Sequence, residues 1–417
     1  MNPYLVFILA VLILGWLLDL TATLLNMRAM RPQPPKEFAG AIDGETYGRT
    51  IRYAKAQAKL DILQDGLSTL ALTLFILAGG FGVFDQAARS LGLPSLATGV
   101  IYLLALGLAA DLFATPFSVY RTFVIEERFG FNRTTPGLFV ADKLKGLVLG
   151  AVIGGLLAGA VLFFFERFGA WAWVYAWIAV SVLLFAIQYL APTLILPLFN
   201  AFTPLPEGEL RERLEAYAAS QNMSLSGIFV MDGSKRTSKA NAFFTGFGAK
   251  KRISLYDTLI EKSTPRQVAA VLAHEAGHAR LGHVKKGLAV AILQTGALLF
   301  LFSLFLTSPG LYAACGVASM SVAAGLSLFL LIFQPAALIL SLAVNALSRR
   351  HEFQADAFAA ETTGDPEALA SALVVLSAIN ASNLTPHPLH VALRHGHPPV
   401  LARIRALRGE TARPARD

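Results

Sequence analysis

The 417-residue chain holds a single cysteine, Cys315, inside an apolar run. That excludes an intrachain disulfide and any metal site built from several thiolates. Charge is scarce as well: 15% of residues are Asp, Glu, Lys or Arg, against 55% apolar ones. Soluble domains carry roughly 25% charged residues. The composition therefore excludes an ordinary soluble protein of this length and points to several membrane spans. From Gly287 to Ser348 there is no charge at all. The net charge of +8 would by itself suggest nucleic acid. The basic residues sit mostly between apolar runs, however, where the positive-inside bias explains them better, and no nucleic-acid partner is expected.

What the chain has in quantity is apolar sequence. Seven runs stand out, at about 4–26, 62–84, 93–115, 146–165, 170–199, 287–308 and 311–345. Most reach the ~20 residues a helix needs to cross the hydrocarbon core. The first, PYLVFILAVLILGWLLDLTATLLNM, is too long for a signal-peptide core and lacks an evident small-residue cleavage site. It reads as a retained span. The run 146–165 is Gly-rich, which favours close helix packing in a membrane. Between the last two runs the only clear break is Ser308-Pro309-Gly310, which predicts a tight outer turn.

The connections sort by charge. The first, third and fifth and the C-terminal segment are rich in Lys and Arg; the second and fourth hold only Arg89 and Arg167, and the sixth has neither type. The odd connections and the tail should face the cytoplasm, with the N-terminus outside. Asp19, Asp65 and Asp111 fall inside or at the edges of spans. Placing such a carboxylate in lipid costs about 2.5–3.5 kcal/mol, so each should face protein or water. Hydrogen bonding between helices and a polar chamber are the two readings.

These features predict a mostly α, multi-spanning membrane protein with a small α+β domain. Residues 1–199 hold the first five spans, 200–286 the domain, 287–345 the last two spans, and 346–417 return to the domain. Within it, EGELRERLEAYAASQ has helical periodicity, and SGIFVMD, ANAFFTGFG and KRISLYD read as three short strands. Helix resumes at Pro265 and runs to about Gly282, with Ser263 or Thr264 as its N-cap.

That helix contains VLAHEAGHARLGH, Val271 to His283. Residues four apart share a helix face, so His274 and His278 can offer two imidazole nitrogens to one zinc ion. Glu275, one position round, can reach a water activated by the ion without coordinating it, which suits a general base. The pattern fits amide hydrolysis. The bland alternative is a polar helix face with two solvated histidines. A third ligand is required. The extended metzincin pattern fails, because Leu281 and Val284 stand where it needs Gly and His. His283 falls off the ligand face and is expected at the surface. The better candidate is SRRHEFQADAFA, Ser348 to Ala359, where Glu352 and Asp356 are four apart. One carboxylate can bind the metal while the other accepts the N–H of a ligating histidine. These residues alone equally allow two solvated acids paired with Arg349 and Arg350. The last apolar run is longer than a crossing requires, so its helix can carry Glu352 out of the membrane.

With these residues assembled, the chain resembles the type I CAAX prenyl protease family of integral-membrane zinc metallopeptidases. The resemblance covers nearly the whole chain and rests on HEAGH, SRRHEFQADAFA, FVIEERFGFNRTT (Phe123 to Thr135), NAFFTGFG and HPPVLAR. It implies seven helices around a water-filled chamber, capped by a gluzincin-like zinc peptidase domain. It implies His274, His278 and Glu352 as ligands of one zinc, Glu275 as base and Asp356 as support behind the ligands. It also implies a strand at Asn241, Ala242 and Phe243 that pairs with the substrate backbone, and that His397 and Arg403 reach the active site. Gly396 stands where the family commonly has Ser. His387, His390 and His395 match nothing in the family and are expected to be solvated loop residues.

The partners expected are the bilayer and a peptide or protein substrate, prenylated at its C-terminus or not, acted on by a monomer. The membrane is a bacterial inner membrane or the endoplasmic reticulum, with the active site on the cytoplasmic side. Two further readings are a quality-control protease for membrane proteins and a channel, transporter or scaffold with a degenerate site. The intact HEAGH and EFQAD segments argue against the latter.

Overall fold

The computed structural model describes residues 2–38, 40, 42–223, 225–245 and 251–410. In chain order the first half comprises α1 (Pro3–Ala29), α2 (Gly44–Leu77), α3 (Gly80–Arg89), α4 (Ser95–Tyr120), α5 (Pro136–Arg167), α6 (Ala172–Leu190) and the short α7 (Leu196–Phe199). A π-helical turn, Arg121–Glu126, extends α4, and another, Ala191–Ile195, joins α6 to α7. Next come β1 (Phe202–Pro204), α8 (Glu209–Ser220), β2 (Leu225–Met231), β3 (Ala242–Thr245), β4 (Lys251–Tyr256), α9 (Asp257–Lys262) and α10 (Pro265–Arg280). The apolar sequence resumes in α11 (His283–Phe305), α12 (Pro309–Ala314) and α13 (Val322–Thr363), followed by α14 (Pro366–Ile379), α15 (Pro388–Arg394) and α16 (Val400–Leu407).

Seven segments are long and apolar enough to cross a membrane: α1, α2, α4 with its π turn, α5, the stretch Gly169–Phe199, α11 and α13. Their outward side chains, Leu14, Val148, Leu156, Leu293 and Ile339 among them, are more than half exposed. Such an apolar belt is a lipid-facing surface. Inside, one buried cluster joins Ile8, Phe81, Tyr102, Leu162, Tyr312 and Leu328, and a second joins Phe165, Ala176, Phe302 and Phe329. A chamber cavity of about 780 Å³ opens between α1, α2 and α15, and its lining includes the polar groups of Asn26, Asp65 and Arg394.

The small sheet has the order β1-β2-β4-β3, with β2 and β4 parallel and the outer pairs antiparallel. β3 is therefore an edge strand. The core beneath packs Leu214, Ile228, Ile253, Leu255, Val268 and Leu272. Thr264 caps α10 through a full capping box with Gln267.

Several expectations are corrected. Span seven begins at Val322 rather than 311. The chain does turn at Ser308–Gly310, where Leu311 N donates to Ser308 O at 3.0 Å, but the turn does not lead directly into that span. Instead α12 folds back, and the Tyr312 hydroxyl reaches the carbonyls of Leu306 and Ser321 at 2.9 and 3.0 Å. Leu311, Tyr312 and Cys315 are buried there, so apolar sequence read as membrane span is core. The run 62–84 is broken at Gly79, whose φ of 69° ends α2 and starts α3. α2 itself begins at Gly44, so most of the basic first connection is helix. β1 was not anticipated; three residues carry no periodicity. Gly246, Phe247 and Gly248 of the ANAFFTGFG segment lie outside the described residues.

The FVIEERFGFNRTT segment straps the membrane helices to the domain. Glu126 accepts hydrogen bonds from the Tyr53 hydroxyl and from Gln57 (2.9 Å), and pairs with Lys239 at 3.2 Å. The Arg133 amide donates to the Arg236 carbonyl at 3.0 Å, and Ser238 N to Phe131 O at 3.1 Å. Arg236 in turn holds Asp142 of α5 through two bonds of 2.8 and 3.0 Å. Lys239 stands just before β3, so this polar seam fixes the entry to the edge strand. Glu126→Ala leaves the Tyr53 hydroxyl without its acceptor and Lys239 with Tyr53 Oη (2.6 Å) but no carboxylate, and should cost about 1–3 kcal/mol. Unfolding of the detergent-solubilised protein checks this; an unchanged midpoint would contradict the strap.

Candidate metal centre

α10 lies along α13. A Cβ at Gly277 would stand 3.0 Å from Ala355 Cα and 3.1 Å from its carbonyl oxygen, so any other residue would press the helices apart by a few tenths of an ångström. The approach brings His274 and His278 onto Glu352. Their Nε2 atoms are 3.2 Å apart, and the Glu352 carboxylate is 3.5 Å from the first and 3.2 Å from the second. Ligands of a tetrahedral ion held at about 2.0–2.1 Å are about 3.3 Å from one another. Each imidazole faces its own oxygen of the Glu352 carboxylate, Oε2 for His274 and Oε1 for His278, and one donor atom from each of the three residues lies within 4.8 Å of the other two, close enough to share one ion. Glu352 is 3% exposed, and its Oε2 accepts no hydrogen bond of good geometry although His and Arg nitrogens surround it. A buried carboxylate oxygen without a donor fits a cation. These residues fit a single divalent metal of zinc's geometry.

The neighbours set the ring orientations. His274 Nδ1 is 2.9 Å from Asp356 Oδ1, which fixes its proton there and leaves Nε2 free for the metal. Burial pulls the His274 pKa down, the hydrogen bonds of Asp356 and Glu352 raise it, and the net value is about 9, so the ring is a strong donor. Arg403, 7% exposed, grips Asp356 through Nε at 2.8 Å and Nη2 at 2.6 Å, and its Nη1 is 3.2 Å from Glu352. His397 is exposed, with Nδ1 2.8 Å from Glu352, and it also lines the chamber cavity. Glu275 lies in the field of His274, His278, Glu352 and His397, and burial raises its pKa.

Asn241 stands just before β3, and Ala242 and Phe243 lie in it. Asn241 O accepts from Tyr256 N at 3.0 Å, and Ala242 and Phe243 pair with Leu255 and Ser254. The Asn380 side chain holds the Ala240 backbone at both N and O, at 2.9 and 3.0 Å. Arg349 and Arg350 do not pair with Glu352 and Asp356. Arg349 turns to the C-terminal end of α15 and donates to His395 O at 2.8 Å and Val391 O at 3.3 Å. A Cβ on Gly396 would lie 3.3 Å from Ser348 Oγ, so a hydroxyl from α13 stands against the position where Ser is common.

His283 is the main correction. It is 5% exposed, not at the surface. The α10–α11 turn at Gly282 swings it back, so that its Nδ1 is 3.0 Å from His278 Nδ1 and its Nε2 3.1 Å from Gln354 Oε1, while its ring stacks on His351 at 4.0 Å. A carbonyl oxygen only accepts, so His283 carries its proton on Nε2 and accepts at Nδ1 from His278. That tautomer leaves His278 Nε2 free. Helical spacing missed the contact because the turn, not the helix, delivers the ring. The C-terminal histidines are not solvated loop residues either. His387 caps α15, accepting from Leu389 N at 3.2 Å, and His390 and His395 line the chamber, because α15 docks against α1 and α13.

A ring of membrane helices bearing a buried His-His-Glu centre under an edge strand defines an integral-membrane metallopeptidase. The model for the CAAX prenyl protease N-terminal region, five membrane helices, matches residues 23–201, and that for peptidase family M48 matches 204–411. The chain belongs to family M48, in its CAAX prenyl protease branch. It is 34% identical to CAAX prenyl protease 1 homolog of Oryza sativa subsp. japonica, over 97% of both chains. It is 32% identical to the Homo sapiens CAAX prenyl protease 1 homolog, over 96% of this chain and 94% of that one. A crystal structure of S. mikatae Ste24p superposes with a TM-score of 0.92 at 31% identity, over 98% and 99% of the two chains.

Because Arg403 is the buried cation that pairs with Asp356, Arg403→Leu leaves that buried carboxylate with the His274 N–H alone. A loss of about 3–5 kcal/mol is expected. Arg403→Lys, which cannot bind in bidentate fashion, should recover only part of it. Denaturant unfolding in detergent distinguishes the three proteins.

Proposed function

We propose that the chain is a zinc endopeptidase that cleaves peptide bonds near the C-termini of prenylated substrates, at the cytoplasmic face of its membrane. The observation that carries this reading is the spacing of His274, His278 and Glu352 around one point. In it the peptidase domain consists of 200–286 and 346–417, interrupted by the two spans of 287–345, and one chain supplies every group, so a monomer suffices.

When bound, zinc supplies a Lewis acid that polarises the scissile carbonyl and acidifies water. The protein's own groups do the rest. Glu275 takes the proton of the attacking water and returns it to the leaving amine; its raised pKa makes it the stronger base. The free edge of β3 receives the substrate as an added strand, with Asn241, Ala242 and Phe243 beside the scissile bond. His397, exposed at the chamber mouth, donates to the developing oxyanion, and Arg403 holds Asp356 and adds fixed positive charge. Asp356 and His283 each accept from the ring N–H of one ligating histidine.

The direct test is hydrolysis of a farnesylated C-terminal peptide beside its unprenylated twin, with a chelator control. Equal rates on both would favour the quality-control reading, and chelator-resistant cleavage would remove the metal from the chemistry. Glu275→Gln should keep one zinc per chain while turnover falls about 10²–10⁴-fold. Wild-type turnover in that variant would remove Glu275 from the role of base. His283→Ala should weaken zinc about 10–100-fold, read by competition with a chromophoric chelator. Unchanged affinity would reduce His283 to packing.

A further inference from the structure

α2 presents two opposed faces. Gln57, Asp61 and Asp65 look into the chamber. Arg52, Lys55, Lys59 and Leu63 recur at helical spacing about half a turn away. They line a second cavity of about 900 Å³, between α2 and the end of α4. Its lining holds five cations, Arg49, Arg52, Lys55, Lys59 and Arg128, and no carboxylate. The nearby acids are engaged elsewhere: Asp61 pairs with Arg121 at 2.7 Å and Glu126 with Lys239 at 3.2 Å. Among the described residues, Arg52, Lys55, Lys59 and Arg128 form no ion pair with a carboxylate. Like charges gathered this way repel one another unless an external anion joins them.

The other half of the groove is apolar and open. Leu63, Tyr120 and Val124 are 54%, 49% and 44% exposed, beside Pro116 and Phe117. Leu63 falls where the apolar part of α2 begins, and Lys59 is one turn above it, about 6 Å along the axis. That offset matches the step from hydrocarbon to headgroup region. A peptide on its way to the metal centre would lie on the far side of α2. Basic pockets between spans on the cytoplasmic side suit acidic headgroups.

We propose that this groove binds an anionic phospholipid. Its phosphate sits among Arg52, Lys55, Lys59 and Arg128, and an acyl chain lies along Leu63, Phe117 and Tyr120. The proposal rests on the membrane placement of α2 and α4 and is independent of the metal chemistry.

Native mass spectrometry and thermal unfolding of the full chain in detergent test it. Phosphatidylglycerol is compared with phosphatidylcholine of the same acyl chains and with inorganic phosphate. One phosphatidylglycerol per chain should be retained and should raise the unfolding midpoint, whereas the other two should do neither. The triple variant Arg52→Gln, Lys55→Gln, Lys59→Gln should bind phosphatidylglycerol at least tenfold more weakly and keep its basal peptidase rate. Lys285→Gln with Lys286→Gln, exposed cations elsewhere, should bind it as wild type does. Equal retention of both lipids overturns the proposal, and that comparison needs no variant. So does equal stabilisation by inorganic phosphate, wild-type binding by the triple variant, or displacement of the lipid by an acidic peptide.

Discussion

The candidate metal centre is assembled where two helices touch without a side chain between them. Gly277 lies against Ala355, and Ala355 is fully buried. An added methyl at 277 would meet backbone on the facing helix, which cannot move aside as a flexible side chain can. The separation of α10 from α13 at this contact sets the distance from the imidazoles at 274 and 278 to the carboxylate at 352. Ligands drawn from segments more than seventy residues apart reach metal-ligand spacing because the contact lies within one turn of each of them.

α13 has a second task. At 42 residues it is about 60 Å long, roughly twice the hydrocarbon thickness. Its first half packs among the spans through Leu328 and Phe329. Its second half supplies Glu352 and Asp356, and holds the end of α15 through Asn345 and Arg349. One continuous helix, with Pro335 inside its membrane half, therefore connects the membrane ring to the candidate metal centre. The seam around Glu126, Arg133 and Arg236 provides an independent registration at the β3 edge. Two separate attachments resist rotation of the domain better than either alone.

The chemistry was more legible than the packing. His274, His278, Glu352 and Asp356 follow a four-residue spacing, and that period survives folding because each pair stays within one helix. The spans were legible for the same reason: burial in lipid demands long apolar runs. What was missed depends on places where the chain turns. His283 reaches His278 because Gly282 ends α10 in a left-handed conformation. α12 lies in a run that sequence alone assigns to a span, because apolar sequence does not distinguish lipid from a protein core. His390 in α15 and the cap residues His387 and His395 read as loop, since a seven-residue helix is too short for periodicity to mark its buried face.

The aspartates in the spans follow from the same logic of fixation. Asp19 and Asp65 lie 3.0 and 3.6 Å from Arg394, the last residue of α15, and Asp111 is 2.7 Å from Lys143. Both readings of these acids hold together: they join helices, and Asp65 does so on the wall of the chamber. Such half-exposed pairs stabilise weakly in water. Next to lipid the alternative for each carboxylate is far worse, so the pairing strongly constrains where α15 can sit. His397 follows α15 by three residues, and its position over Glu352 depends on that helix being held. The charges that look costly in the spans thus orient a histidine at the chamber mouth, which couples the polarity of the chamber to the geometry of the site it opens onto.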